Sequence, residues 1–323
     1  MGRAVTDKTK ATVPVANHSD APMTSERFRQ MPVLEMTEWI ARNGEPVDPR
    51  TEIDTVALRR RFPRLAGVQT TDITIDGSLG PLPGRAYRDP TSTPTGRGLV
   101  WAHGGAFLGG RLDMPEANWV ALELAARGTP VLSIDYTKCI NDVHYPVPSD
   151  DVLRWWEEAT SHSAEWLDLS SDALLLGGAS AGATLTTSAV RRLIDAGASV
   201  PAGMVLVYPA LHPDSTDPAA TVPSAPHLQG LSLNYAGTQE AMSDPQVFAG
   251  LGDGIGYPPT LLVACEKDAF VPSAEHFYET LTAAGVPALL RIERDSDHGH
   301  IDEPSDPGAH RTLQAIHEWI SRT

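Results

Sequence analysis

Cysteine is nearly missing from this chain of 323 residues, which has two, Cys139 and Cys265. Two thiols make no disulfide framework, and Cys265, inside the apolar run TLLVACEKD, reads as a buried strand residue. Neither has a neighbouring base in sequence that would make it a nucleophile. Long apolar runs are missing as well. No stretch approaches the ~20 consecutive apolar residues of a membrane helix, and MGRAVTDKTKATVPVANHSDAP at the start has no apolar signal core. A protein of the cytoplasm, with no membrane partner, is the expectation. Basic residues are scarce, with 25 Lys and Arg against 41 Asp and Glu, for a net charge of −16. Such a charge repels phosphate backbones and anionic lipid, so nucleic acid is not an expected partner. No Cys/His or His/Glu cluster has metal-ligand spacing, and no G-x-x-x-x-G-K loop exists to cradle phosphate. Neither a metal nor a cofactor is implied.

What the chain has in quantity is turn-forming residues, 27 Gly and 27 Pro. Together with a near-average 41% hydrophobic content, they suit one α/β domain with elaborate loops. Residues 1–20 are polar and aperiodic and are expected to be loose. Apolar residues at helical spacing predict a helix from Thr24 to Asn43, ended by Gly44, and a shorter one over 50–65. Short β runs begin at Asp72. Strand and helix then alternate: VLSIDY, a helix near 149–161, ALLLGGAS, a helix near 181–196, then GMVLVYP. Such alternation implies right-handed crossovers and a mostly parallel sheet. The pattern breaks over 211–259, which reads as an inserted lid or pocket segment. It resumes with TLLVACEKD, a helix near 273–284, ALLRIERD, and a last helix near 307–321.

Three pieces of this frame carry chemistry. Gly178-Ala179-Ser180-Ala181-Gly182 follows an apolar strand and opens a helix, the context of a nucleophile elbow. The turn has room only for small neighbours, and it lifts the serine hydroxyl to a helix N-terminus whose partial charge favours an oxyanion. His103-Gly104-Gly105-Ala106 follows the strand LVWA. Without bulky side chains, the amides of Gly104, Gly105 and Ala106 can approach a developing negative charge, and the Ala181 amide can complete the set. Asp268 and His298 follow the strands TLLVACEKD and ALLRIERD, at the strand ends where open α/β sheets place ligands. Serine needs such a base to take its proton. His300 and His103 are rival imidazoles, His103 being better suited to orient the oxyanion loop.

On these residues the chain resembles the hormone-sensitive-lipase-like branch of the α/β-hydrolase superfamily, from about Gly98 to the C-terminus. Asp135-Tyr136 after a strand and Tyr145-Pro146 leading to Asp151 also match. The resemblance implies a catalytic triad of Ser180, His298 and Asp268. It favours His298 because Gly299 follows it, and it implies amide donors at Gly105, Ala106 and Ala181. It also implies a cap from N-terminal helices, here residues 21–66, over a catalytic domain of residues 67–323. The chain departs from the family's pattern at Ala179 and Ala106, at Thr137-Lys138-Cys139-Ile140-Asn141, and at Ala269-Phe270-Val271-Pro272 after the acid. The implied activity is hydrolysis of a small-molecule carboxylic ester through an acyl-enzyme. Amide deacylation or acyl transfer to a small metabolite through the same triad is the alternative, and a non-catalytic ligand-binding protein on the same fold comes third. A homodimer is compatible with the sequence.

Overall fold

The computed structural model describes residues 23, 27–28, 30–45, 54–213 and 226–323, so the N-terminus expected to be loose lies outside the described residues. The first long helix, α1, spans Val33–Asn43 rather than starting at Thr24. Pro32 supplies the reason: it has no amide to donate to a preceding turn, and it turns the residue before it away from helical backbone. The second expected helix is α2 (Thr55–Arg61). Asp54 starts it by accepting the Val56 amide at 2.8 Å, and a tighter turn over Pro63–Gly67 replaces its last part.

The remaining elements in chain order are β1 (Gln69–Asp76), β2 (Pro81–Arg88), β3 (Gly98–Ala102), α3 (Pro115–Ala126), β4 (Val131–Ile134), α4 (Val147–Ser161) and α5 (Ser163–Leu167). They continue as β5 (Leu174–Ala179), α6 (Ala181–Asp195), β6 (Met204–Val207), α7 (Pro226–Ala236), β7 (Thr260–Cys265), α8 (Val271–Ala283), β8 (Ala288–Glu293) and α9 (Pro307–Ile320). The eight strands form one sheet in the order β1-β2-β4-β3-β5-β6-β7-β8. β1 and β2 pair antiparallel, as do β2 and β4, and every later pairing is parallel. The region 211–259, expected to break the pattern, contains a regular helix in α7.

β3, β5, β6 and β7 are buried along their whole length, which explains their unbroken apolar runs: both faces of the sheet are covered. Alternate residues feed two cores. Val100 and Ala102 face Trp155 of α4, Leu185 of α6 and Phe277 of α8, whereas Leu99 and Trp101 face Leu122 of α3 and Leu313 of α9. The segment expected as a cap divides between two places. Met36 and Ile40 of α1 join the first core, beside the cavity described below. Leu58 of α2 and Leu65 after it belong to the second, with Trp119 and Val120.

After β3 the chain moves outward to β4 and then returns to form β5 on the other side of β3. The strand order thus reverses between β3 and β5, and the crevice beyond their C-terminal ends is where such sheets receive ligands.

Candidate active site

Ser180 stands at the end of β5, with φ 50° and ψ −120°, a conformation rare for a residue with a side chain. The small residues around it are a packing requirement. A Cβ on Gly178 would lie 2.5 Å from the carbonyl carbon of Gly182 and 2.7 Å from the carbonyl oxygen of Ala102. The Ser180 amide is held by the Val207 carbonyl at 2.9 Å, and α6 begins at the next residue.

His298 and Asp268 come together beside it. Ser180 Oγ lies 2.9 Å from His298 Nε2, and His298 Nδ1–H donates to Asp268 Oδ2 at 2.6 Å. The Asp268 side chain is 4% exposed and that of His298 is 37% exposed, so the acid is sealed while the imidazole reaches the surface of the cleft. Asp268 Oδ1 also accepts the Phe270 amide at 3.1 Å. The Tyr208 and Phe270 rings sit 4.7 and 5.0 Å from the imidazole and restrict its rotation. This arrangement can move a proton from the serine hydroxyl onto Nε2 while the carboxylate fixes the tautomer at Nδ1.

Among the four expected amide donors, the structure removes Gly104. Its N–H donates to the Glu116 carboxylate, so it is already engaged. The amides of Gly105, Ala106 and Ala181 have no acceptor among the described residues, Ala181 because it is the first residue of a helix. Glu116, on α3 and 4% exposed, also accepts the Tyr208 hydroxyl. Neither Glu116 nor Tyr208 was singled out in the sequence. A signal existed, since Glu116 opens a helix otherwise apolar enough to be buried on nearly every face.

His103 braces the same loop from below. It is fully buried; Nδ1–H donates to the Gly104 carbonyl at 2.6 Å, and Nε2 lies 3.0 Å from Asp135 Oδ1. Both ring nitrogens are engaged, which fits an orienting role rather than that of a base. Tyr136 stacks on it and donates to the His103 carbonyl at 2.9 Å. Burial would push the Asp135 carboxyl up, but Lys138 and His103 beside it hold it well below the usual carboxylate range. Lys138, half-buried, places its ammonium group 3.8 Å from the centre of the Tyr136 ring.

Ser180 and His298 line a cavity of about 630 Å³. Phe28, Met36, Ile40, Leu228 and Leu231 form an apolar wall, and Asp297, Asp302 and Glu303 stand on the His298 side. Among the described residues no three His, Cys, Asp or Glu side chains group as a metal ion would require, and no helix is long and apolar enough to cross a membrane.

A reversed strand order with a serine elbow at its crevice defines the class. A family model described as alpha/beta hydrolase fold matches residues 99–302, and the chain belongs to that family, in its hormone-sensitive-lipase-like branch. Among curated proteins it is similar to the esterase LipI of Mycobacterium tuberculosis, 24% identical over 244 residues that cover 72% of this chain and 75% of that one. It is also similar to the carboxylesterase NlhH of the same species, 26% identical over 252 residues, 73% and 76% of the two chains. Among solved structures, esterase LipW of Mycobacterium marinum superposes with a TM-score of 0.71 at 23% identity, covering 93% of this chain and 90% of that one. Carboxyl esterase 2 of Tuber melanosporum gives 0.70 at 21% identity, covering 86% and 99%. At these identities the structural likeness speaks for the fold.

Proposed function

We propose that the chain is a serine carboxylic-ester hydrolase acting on small-molecule esters, with Ser180, His298 and Asp268 as its triad. The observation that carries this reading is the unbroken relay from Ser180 Oγ through the His298 imidazole to Asp268, at 2.9 and 2.6 Å. The relatives named above, esterases and carboxylesterases, support the same reaction class.

Ser180 Oγ attacks the ester carbonyl carbon as its proton passes to His298 Nε2. The carbonyl π bond becomes an oxyanion, held by the amides of Gly105, Ala106 and Ala181. The imidazolium returns the proton to the departing alkoxide, the ester C–O bond breaks, and alcohol leaves an acyl group on Ser180. Water then attacks this acyl-enzyme with His298 as base, releasing the acid and restoring the serine. Asp268 stays ionised throughout, orienting the ring and stabilising its charged form. The α1 and α7 helices serve as the cap whose apolar side chains receive the substrate's hydrocarbon portion.

The test is hydrolysis of p-nitrophenyl esters of increasing chain length, with fluorophosphonate labelling. Ser180→Ala is expected to lose about 10⁴-fold or more in kcat, with labelling abolished and the melting temperature kept. Near-full activity in that variant would move the nucleophile elsewhere.

A further inference from the structure

The α7 helix touches both the cavity and the oxyanion loop. Leu228, Leu231 and Ser232 line the cavity, and Tyr235 follows, so the four recur at i, i+3, i+4 and i+7 on one stripe. Tyr235 is fully buried, and its ring lies flat on that of Phe107, with centroids 4.3 Å apart and planes within 5°. Tyr145 and Phe248 pack nearly perpendicular to it at 6.2 and 5.8 Å, and the Tyr145 amide donates to the Tyr235 carbonyl at 2.7 Å. The ring is therefore fixed on several sides.

Phe107 comes directly after Ala106, and both have left-handed backbone, with φ 63° and 54°. Residues with a Cβ resist this conformation, which persists only where the surroundings over-determine it. The Gly105 carbonyl accepts the Leu108 and Gly109 amides, both at 3.0 Å, within the loop, and two further restraints reach it from outside. The Phe107 carbonyl accepts the Cys139 amide at 2.8 Å, while the Cys139 carbonyl accepts Asn234 Nδ2 at 2.9 Å. The Phe107 side chain is clamped by Tyr235. Both restraints end on α7.

We propose that Tyr235 is a positioning residue for the oxyanion loop. Through Phe107 its ring holds the Ala106 amide in the direction from which it donates to the oxyanion, so the cavity wall and the oxyanion hole move as one unit. This inference rests on the serine-hydrolase reading above, whose donors it concerns. A residue that only lined the pocket would affect KM, and more for longer esters. A residue that sets a donor's direction affects kcat, and equally for short and long esters, because the stack is already in place before substrate arrives.

The experiment compares full-length wild type, Tyr235→Phe and Tyr235→Leu on p-nitrophenyl acetate and octanoate, together with inhibition by a trifluoromethyl ketone that adds to serine as a hemiketal oxyanion. Tyr235→Leu is expected to lower kcat about 10- to 100-fold on both esters and to weaken the ketone by a similar factor, with KM changed less than about threefold. Tyr235→Phe keeps the ring and is expected within about twofold of wild type. Should Tyr235→Leu not fold, Phe107→Leu removes the same stack from the loop side and carries the same expectations. An unchanged kcat, a loss confined to KM for octanoate, or an equal loss in Tyr235→Phe each overturns the positioning role. An active Ser180→Ala, or a ketone that fails to inhibit wild type, overturns instead the hydrolase reading, and this proposal with it.

Discussion

The rings of His298 and His300 turn to different partners although a single glycine separates them. His298 Nε2 lies 2.9 Å from Ser180 Oγ, whereas His300 is buried, with Nδ1 at 3.1 Å from Cys265 Sγ and Nε2 at 2.7 Å from Thr312 Oγ1. An extended backbone would have sent both rings to one side, but Gly299 takes φ 80° and breaks the alternation. His298→Ala is accordingly expected to lose about 10³-fold or more in kcat, with the acidic limb of its pH profile flattened. His300→Ala is expected to keep turnover within about tenfold while losing stability, because Thr312 is left without its partner. Steady-state kinetics and melting curves of the two variants check the ranking, and the reverse order would make His300 the base.

The buried histidines predict an acid limit to stability. Burial pulls His300 down from 6.5 to about 4, and burial together with nearby His276 does the same to His212. Both are held neutral in the folded state, so the unfolded chain binds more protons between these values. Their contribution is present above about pH 6.5 and lost as pH falls toward 4, on the order of 3 kcal/mol per histidine. His212→Gln is expected to flatten the fall in urea midpoint over that window relative to wild type. An identical slope in variant and wild type would contradict the assignment.

Gly178→Ala places a methyl group 2.5 Å from Gly182 and 2.7 Å from the Ala102 carbonyl, where strand and helix backbones meet. Backbone on both sides cannot yield without moving the elbow. A loss of about 3 kcal/mol or more is expected, with activity falling alongside stability. Thermal unfolding and soluble yield measure it, and a wild-type melting temperature would contradict this packing.

Deleting the residues ahead of Asp54 removes Met36 and Ile40 from the cavity wall and leaves Leu58 and Leu65 in the core. The truncated chain is expected to fold and to shift its preference toward bulkier acyl groups, read from kcat/KM across ester chain lengths. Extending the deletion past Leu65 removes two buried leucines, at about 2–5 kcal/mol each, and is expected to cost the fold. An unchanged chain-length profile in the shorter deletion would dismiss α1 as a wall of the cavity.

Local pattern determined much of this protein. Unbroken apolar runs marked β3, β5, β6 and β7 because a strand covered on both faces has no polar side to show. The elbow around Ser180 was legible because backbone crowding admits only small residues there, and Asp268 and His298 because strand ends of a parallel sheet converge on one crevice. Helix limits near Pro32 and Pro63 were less legible, because apolar spacing runs on through a residue that cannot continue a helix. Tertiary structure alone decided the rest. Glu116 reaches Gly104 and Tyr208 from a separate helix, Tyr235 meets Phe107 across a long stretch of chain, and Gly299 sends His300 away from Ser180. Such contacts join residues with no common period or motif, and only packing brings them within a few ångströms of one another.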